Sequence, residues 1–195
     1  MNLSSPNRMV WTYFRTLRRS VQRIAEMEDP TDQKDEIVLA LVMAVATVEA
    51  FVNLYFRTLV NEPSYQHHSK LVEDDLDASR PEGPKGLKYK LNHWPPKVLG
   101  KSLAWQSGVP KEFDELRERR NALMHFTSSH QSISLPNIEI QGLADTSVYD
   151  NLSMTDSKKA LEVAEGMVQE LFRLSGVLEQ DISDALHQWT GKVAI

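Results

Sequence analysis

The sequence predicts an all-α fold: an antiparallel helical bundle of about four to five main helices, with short inserted helices and a small β-like or irregular segment near 131–149. Three observations lead there. Apolar residues recur at helical spacing over several long stretches. Strand-like alternation is confined to one short segment, so strands do not alternate with helices as a parallel sheet would require. Residues 37–48, IVLALVMAVATV, are almost wholly apolar, as suits a helix covered by its neighbours.

The first helix is expected from about 7 to 27, and Asp29, Pro30, Thr31 and Asp32 supply turn and N-cap chemistry after it. A long helix follows from about 32 to 61, with Ile37, Leu41, Ala44, Val45, Val48, Val52, Tyr55 and Leu59 at its apolar positions. A transmembrane helix needs roughly 20 uninterrupted apolar residues. Here Glu49, Asn53 and Arg57 interrupt at i, i+4 and i+8 and form one polar stripe. The expectation is a central core helix with a polar face, and no membrane partner.

Residues 62–110 are mixed. HHSKLVEDDLDA suggests a short helix near 66–78, RPEGPKG a loop, LKYKLNHW a second short helix ended by Pro95 and Pro96, and VLGKSLAWQSGVP a structured loop. A helix is expected from about 111 to 127, with Pro110 at its first turn. SISL and IEI alternate around Pro136 and Asn137, which suggests a short hairpin. Thr155 or Asp156 then caps a last long helix, about 155–189, carrying Leu161, Ala164, Met167, Val168, Leu171, Leu174, Leu178, Ile182 and Leu186.

The 195 residues suit a single domain able to bury a full core without staples. Cysteine is absent, which excludes disulfides, thiolate nucleophiles and cysteine-ligated zinc. A reducing compartment, the cytoplasm, is expected; MNLSSPNRMVWTYF has no apolar run long enough for a signal peptide. The net charge of −5 argues against a chain coated in basic residues for general nucleic-acid binding. The charge is nevertheless uneven. Residues 1–25 hold Arg8, Arg15, Arg18, Arg19 and Arg23 and no acid, while acids gather in EDDLD at 73–77. A solvated helix face is the simpler reading of those arginines.

RERRNALMHF, residues 117–126, holds the candidate chemistry. On a helical wheel with Phe113 at 0°, Leu116 falls at about 300°, Leu123 at about 280° and Met124 at about 20°, the apolar face. Arg120 falls at about 340°, in the middle of it, whereas Arg117, Asn121 and His125 form a ladder at about 40°, 80° and 120°. Arg119, at about 240°, fits a solvated or rim role. A guanidinium among apolar neighbours needs a partner: a carboxylate such as Glu49 across the bundle, a subunit interface, or a bound anion. Imidazole moves protons near neutrality, and arginine holds phosphate without losing its charge. Together they suit phosphodiester cleavage, for which a two-fold dimer would supply a second His125.

RNALMH, residues 120–125, resembles the R-x4-6-H motif of HEPN domains (higher eukaryotes and prokaryotes nucleotide-binding), in its RN-x3-H form. IVLALVMAVATVEAFVN, with an acid followed by Ala-Phe and Asn, is similar to the second helix of many such domains, and LKYKLNHWPPKVLG is similar in style to what precedes the motif helix. The likeness covers roughly residues 30–128. It implies a helical bundle, homodimerisation through the motif helices and metal-independent endoribonuclease activity leaving a 2′,3′-cyclic phosphate. By the resemblance, Arg120 and His125 are the catalytic pair and Asn121 orients the histidine or the phosphate. Glu49, with Asn53 in the same polar stripe, supports them from the facing helix, and Arg117 and Arg119 line an RNA groove with the first helix. RNA is the implied substrate, and a toxin or antiphage role with an antitoxin or other protein partner goes with such domains. The alternative is a non-catalytic helical module binding a nucleotide, RNA or a protein.

No cofactor or metal is expected. GKS at 100–102 lacks the first glycine of a P-loop, since position 95 is proline. His67 and His68 are adjacent and point apart on a helix, and the i+5 spacing of His125 and His130 does not suit a shared metal. Tyr89, Trp94 and Trp105 read as core cover before base-stacking surfaces.

Overall fold

The computed structural model describes residues 7–124, 133–136, 138–140 and 146–191. The fold is all-α. Its helices are α1 (Arg8–Ile24), α2 (Pro30–Leu59), α3 (Ser69–Leu76), α4 (Leu87–Trp94), α5 (Gly108–Met124), α6 (Ser147–Asp150), α7 (Met154–Leu174) and α8 (Ile182–Thr190). The hairpin suggested around Pro136 is present as β1 (Ile133–Leu135) and β2 (Ile138–Ile140), paired antiparallel with Ile133 opposite Ile140.

The α2 helix starts earlier than its hydrophobic pattern suggests. Asp29 is the N-cap, accepting from the backbone N–H groups of Thr31 and Asp32 at 2.7 and 3.1 Å, and Pro30 takes the first turn, where no amide donor is needed. By length and composition α2 is apolar enough to cross a membrane. Here it is the central helix, packed by α1, α5 and α7, with Ile37, Leu41, Val48, Phe51 and Phe56 buried.

The long helices surround a parallel pair. Lys34 at the start of α2 donates to the Asp150 carbonyl just before α7, while Phe51 and Tyr55, further along α2, pack edge-on against Phe172 near the end of α7. The α2 and α7 helices therefore run in the same direction. The α5 helix runs against α7, because Val109 meets Gly166 and Arg119 meets Asp156. The α1 helix returns on α2 through a short turn, with Ser20 donating to Glu36 at 2.6 Å. Both α1 and α5 pack on α2 and on α7 but share no substantial contact, so they lie on opposite sides of the central pair.

The α4 helix ends at Pro95 as expected, and the chain continues through a separate π-helical turn, Pro95–Leu99, that stops at Gly100, whose φ of 69° is left-handed. Proline lacks the amide that an α-helical ladder needs, and the wider turn absorbs the loss. One expected boundary is corrected. The last helix, expected as one element over about 155–189, is two. Ser153 caps α7 with Asp156 in a capping box, and α7 closes at Gly176 (φ 86°), where the Gly176 and Val177 amides donate to the Arg173 and Phe172 carbonyls. This Schellman closure turns the chain back, and α8 packs across α1 and α7.

Candidate functional site

The motif helix buries most of the apolar face its sequence predicts. Phe113 and Leu123 are buried and Leu116 is half-buried, but Met124, expected on the same face, is 52 % exposed. Arg120 sits half-buried on that face. Its Nη1 donates to the Asn121 Oδ1 at 2.9 Å, and its Nε is buried with no hydrogen-bond partner among the described residues. Among the described residues no carboxylate lies within 4.0 Å of it. A buried N–H left unpaired costs about 1–3 kcal/mol, so such a group is a standing demand for an acceptor.

The neighbouring arginines are satisfied. Arg117 donates from Nε and Nη2 to Asp114 Oδ1 at 3.1 and 2.8 Å, and Lys88 of α4 reaches the same carboxylate at 3.3 Å. Burial pushes the Asp114 carboxyl up, but Arg117 and then Lys88 outweigh it and hold it below its ordinary value. Arg119 takes the rim alternative expected of it: it is 34 % exposed and forms an ion pair with Asp156 at the start of α7. Burial again raises the Asp156 carboxyl, and Arg119 and the Ser153 cap bring it below normal. The flank that remains open carries Glu115 and Glu118, both well exposed.

Glu49 and Asn53, assigned as support for the motif from α2, turn instead to a residue the sequence reading passed over. Lys90 of α4 is 2 % exposed; its Nζ donates to Asn53 Oδ1 at 2.9 Å and lies 3.5 Å from Glu49 Oε1. The same ammonium stands over the Trp94 ring at 5.7 Å, and the Trp94 indole donates to Asp75 at 2.9 Å. Glu49 is thus the partner of Lys90 and makes no ion pair with Arg120. The signal was present in LKYKLNHW: Leu87, Leu91 and Trp94 form a helical stripe, and Lys90 occupies the i+3 position within it. His67 and His68 face each other with ring centroids 3.9 Å apart, and burial followed by the His67 charge lowers the His68 pKa. The acids after them diverge, Asp74 pairing with Arg80 and Asp75 taking Trp94.

Of the expected catalytic set, Arg120 and Asn121 are adjacent and hydrogen-bonded on α5, and His125 lies outside the described residues. The expectation that the first helix shares a groove with Arg117 and Arg119 is corrected, because α1 occupies the far side of the α2–α7 pair. Compared with models of protein families, with curated proteins and with solved structures, the chain matches none.

Proposed function

We propose that the chain is a HEPN-like, metal-independent endoribonuclease acting as a homodimer through α5. The observation that carries this reading is Arg120: a half-buried guanidinium whose buried Nε has no partner among the described residues, five positions before His125 in the sequence. An arginine held without a carboxylate is available to a phosphate, which it can grip bidentately while charge grows on the phosphoryl oxygens. In the proposed reaction one His125 takes the proton of a ribose 2′-OH. The freed oxygen attacks phosphorus, the bond to the 5′-oxygen breaks, and His125 of the second copy protonates that leaving oxygen. The products are a 2′,3′-cyclic phosphate and a 5′-hydroxyl. Asn121, whose Oδ1 accepts from Arg120, holds the guanidinium in place.

Single-turnover cleavage of RNA in EDTA tests this. His125→Ala is expected to slow it by about 10²–10⁴-fold, the usual worth of a proton-transfer group. Arg120→Ala is expected to slow it by about 10²–10³-fold, as for loss of one charge-stabilising donor. Equal rates in wild type and both variants reject the assignment.

The second reading, a non-catalytic module, draws on the charges around the motif. Arg117 and Arg119 are neutralised by Asp114 and Asp156, and the exposed side of α5 carries glutamates. Under it, neither wild type nor either variant processes RNA, while Arg120→Ala still removes an anion contact.

A further inference from the structure

The exposed face of α1 is the counterpart of α5. Its apolar face, Val10, Phe14, Leu17, Val21 and Ile24, is consumed by the core. Arg18 is also committed: it donates to Glu165 at 2.9 Å and to the Thr190 carbonyl at 2.8 Å. Arg8, Arg15 and Arg19 are exposed, and among the described residues no acid lies within 4.0 Å of any of them. All four arginines line one cleft of about 470 Å³ between α1 and the end of α8, together with Trp11, Thr12 and Gln22. Clefts of this size hold small molecules or single units of a longer chain. Trp11 is anchored at its edge, its Nε1 donating to the Gln188 carbonyl at 2.8 Å, yet 45 % of the residue is exposed. Gly191, at φ 68°, closes α8 against that ring; a Cβ there would stand 3.1 Å from the indole.

We propose that this cleft binds a single-stranded polynucleotide, its phosphates on Arg8, Arg15 and Arg19 and a base against Trp11. Guanidinium forks match phosphate oxygens, and an anchored aromatic ring beside a basic groove is the general design for single strands. Arg15 and Arg19, one helical turn apart, rise about 6 Å along the axis, so two neighbouring anionic groups can be held at once. A lipid surface fits less well, because the apolar face that would enter it is buried in the core and the arginines line a concavity. The cleft lies across the bundle from α5 and its binding does not depend on cleavage at the motif.

The test is fluorescence anisotropy of a labelled single-stranded RNA of about 12 nucleotides, within the span one such groove covers. The full chain carries His125→Ala, in EDTA, so the probe is bound and not cut. Arg15→Ala with Arg19→Ala is expected to weaken binding at least about tenfold and to flatten the log–log salt slope by about 1.4, two phosphate contacts' worth on a single strand. The melting temperature should not change, since both residues are exposed and neither pairs with an acid among the described residues. Trp11→Phe should abolish most of the tryptophan quenching that RNA produces. Unchanged affinity and slope in the double variant overturn the proposal. So does loss of RNA binding in Arg120→Ala alone, or binding of phosphatidylcholine–phosphatidylserine vesicles with none of RNA.

Discussion

The two arginine-rich helices, α1 and α5, flank the same central pair and dispose of their charge in opposite ways. On α5 the part-buried Arg117 and Arg119 are tied to Asp114 and Asp156, and Arg120, on the apolar face, has no acid among the described residues. On α1 the most buried arginine, Arg18, is engaged by Glu165 and Thr190, while the exposed Arg8, Arg15 and Arg19 meet no acid among the described residues. An unpaired arginine in water costs almost nothing and broadcasts a field; an unpaired one in a packed face costs stability and makes a local, specific demand. The contrast separates a surface that attracts a polyanion from a point that grips one group.

Removing Arg18 should break the comparison hardest. Arg18→Met removes the guanidinium that donates to Glu165 and Thr190, and losing hydrogen bonds to a charged group costs about 1.5–3 kcal/mol. Urea denaturation of the variant should show the loss; an unchanged midpoint would mean that α1 and α7 do not depend on this pair. Arg120→Met should act in the opposite direction. It replaces an unsatisfied guanidinium with an apolar chain of similar length on an apolar face, and the expected gain is about 1 kcal/mol, part of the cost of an unpaired buried donor. A stability gain joined to loss of RNA cleavage marks a functional residue held at a structural cost. Destabilisation instead would show that Arg120 has a structural partner.

The smallest effect concerns pH. Asp114 and Asp156 are both held below the ordinary 3.8 when folded. A carboxylate with a depressed folded-state pKa contributes stability that is fully present above its unfolded value and is lost as pH falls through the folded one. The α5–α7 contact should therefore weaken only below about pH 4, near the unfolded carboxylate value. Asp156→Asn should flatten that acid limb of a stability profile without altering the profile at neutral pH by more than the lost ion pair. A profile identical to wild type would remove Arg119–Asp156 from the forces that seat α5.

Much of this was legible in the residues. Helical periodicity located α1, α2, α4, α5 and the start of α7 to within a few positions, and the wheel placed Arg120 on the packed face of α5 because the angle between side chains on one helix depends on nothing beyond that helix. The turn at Ser175 and Gly176 was readable and overridden by the continuing apolar spacing of Leu174, Leu178 and Ile182, which a broken pair of helices shares with a single one. Lys90 lay within a stripe of leucines and tryptophan and was missed for the same reason that it is stable: Glu49 and Asn53, about forty residues earlier in the chain, come to meet it.

By itself, the sequence determined the helical class, the faces of the individual helices and the odd placement of one arginine, because these follow from local backbone geometry and burial. Only the tertiary structure decided which acid meets which base. Glu49 goes to Lys90, Asp156 to Arg119 and Glu165 to Arg18, while Arg120 receives none among the described residues. It also decided that α1 and α5 stand on opposite sides of the bundle. Ion pairing depends on distances of a few ångströms between groups far apart in the chain, and those distances exist only once the helices have packed.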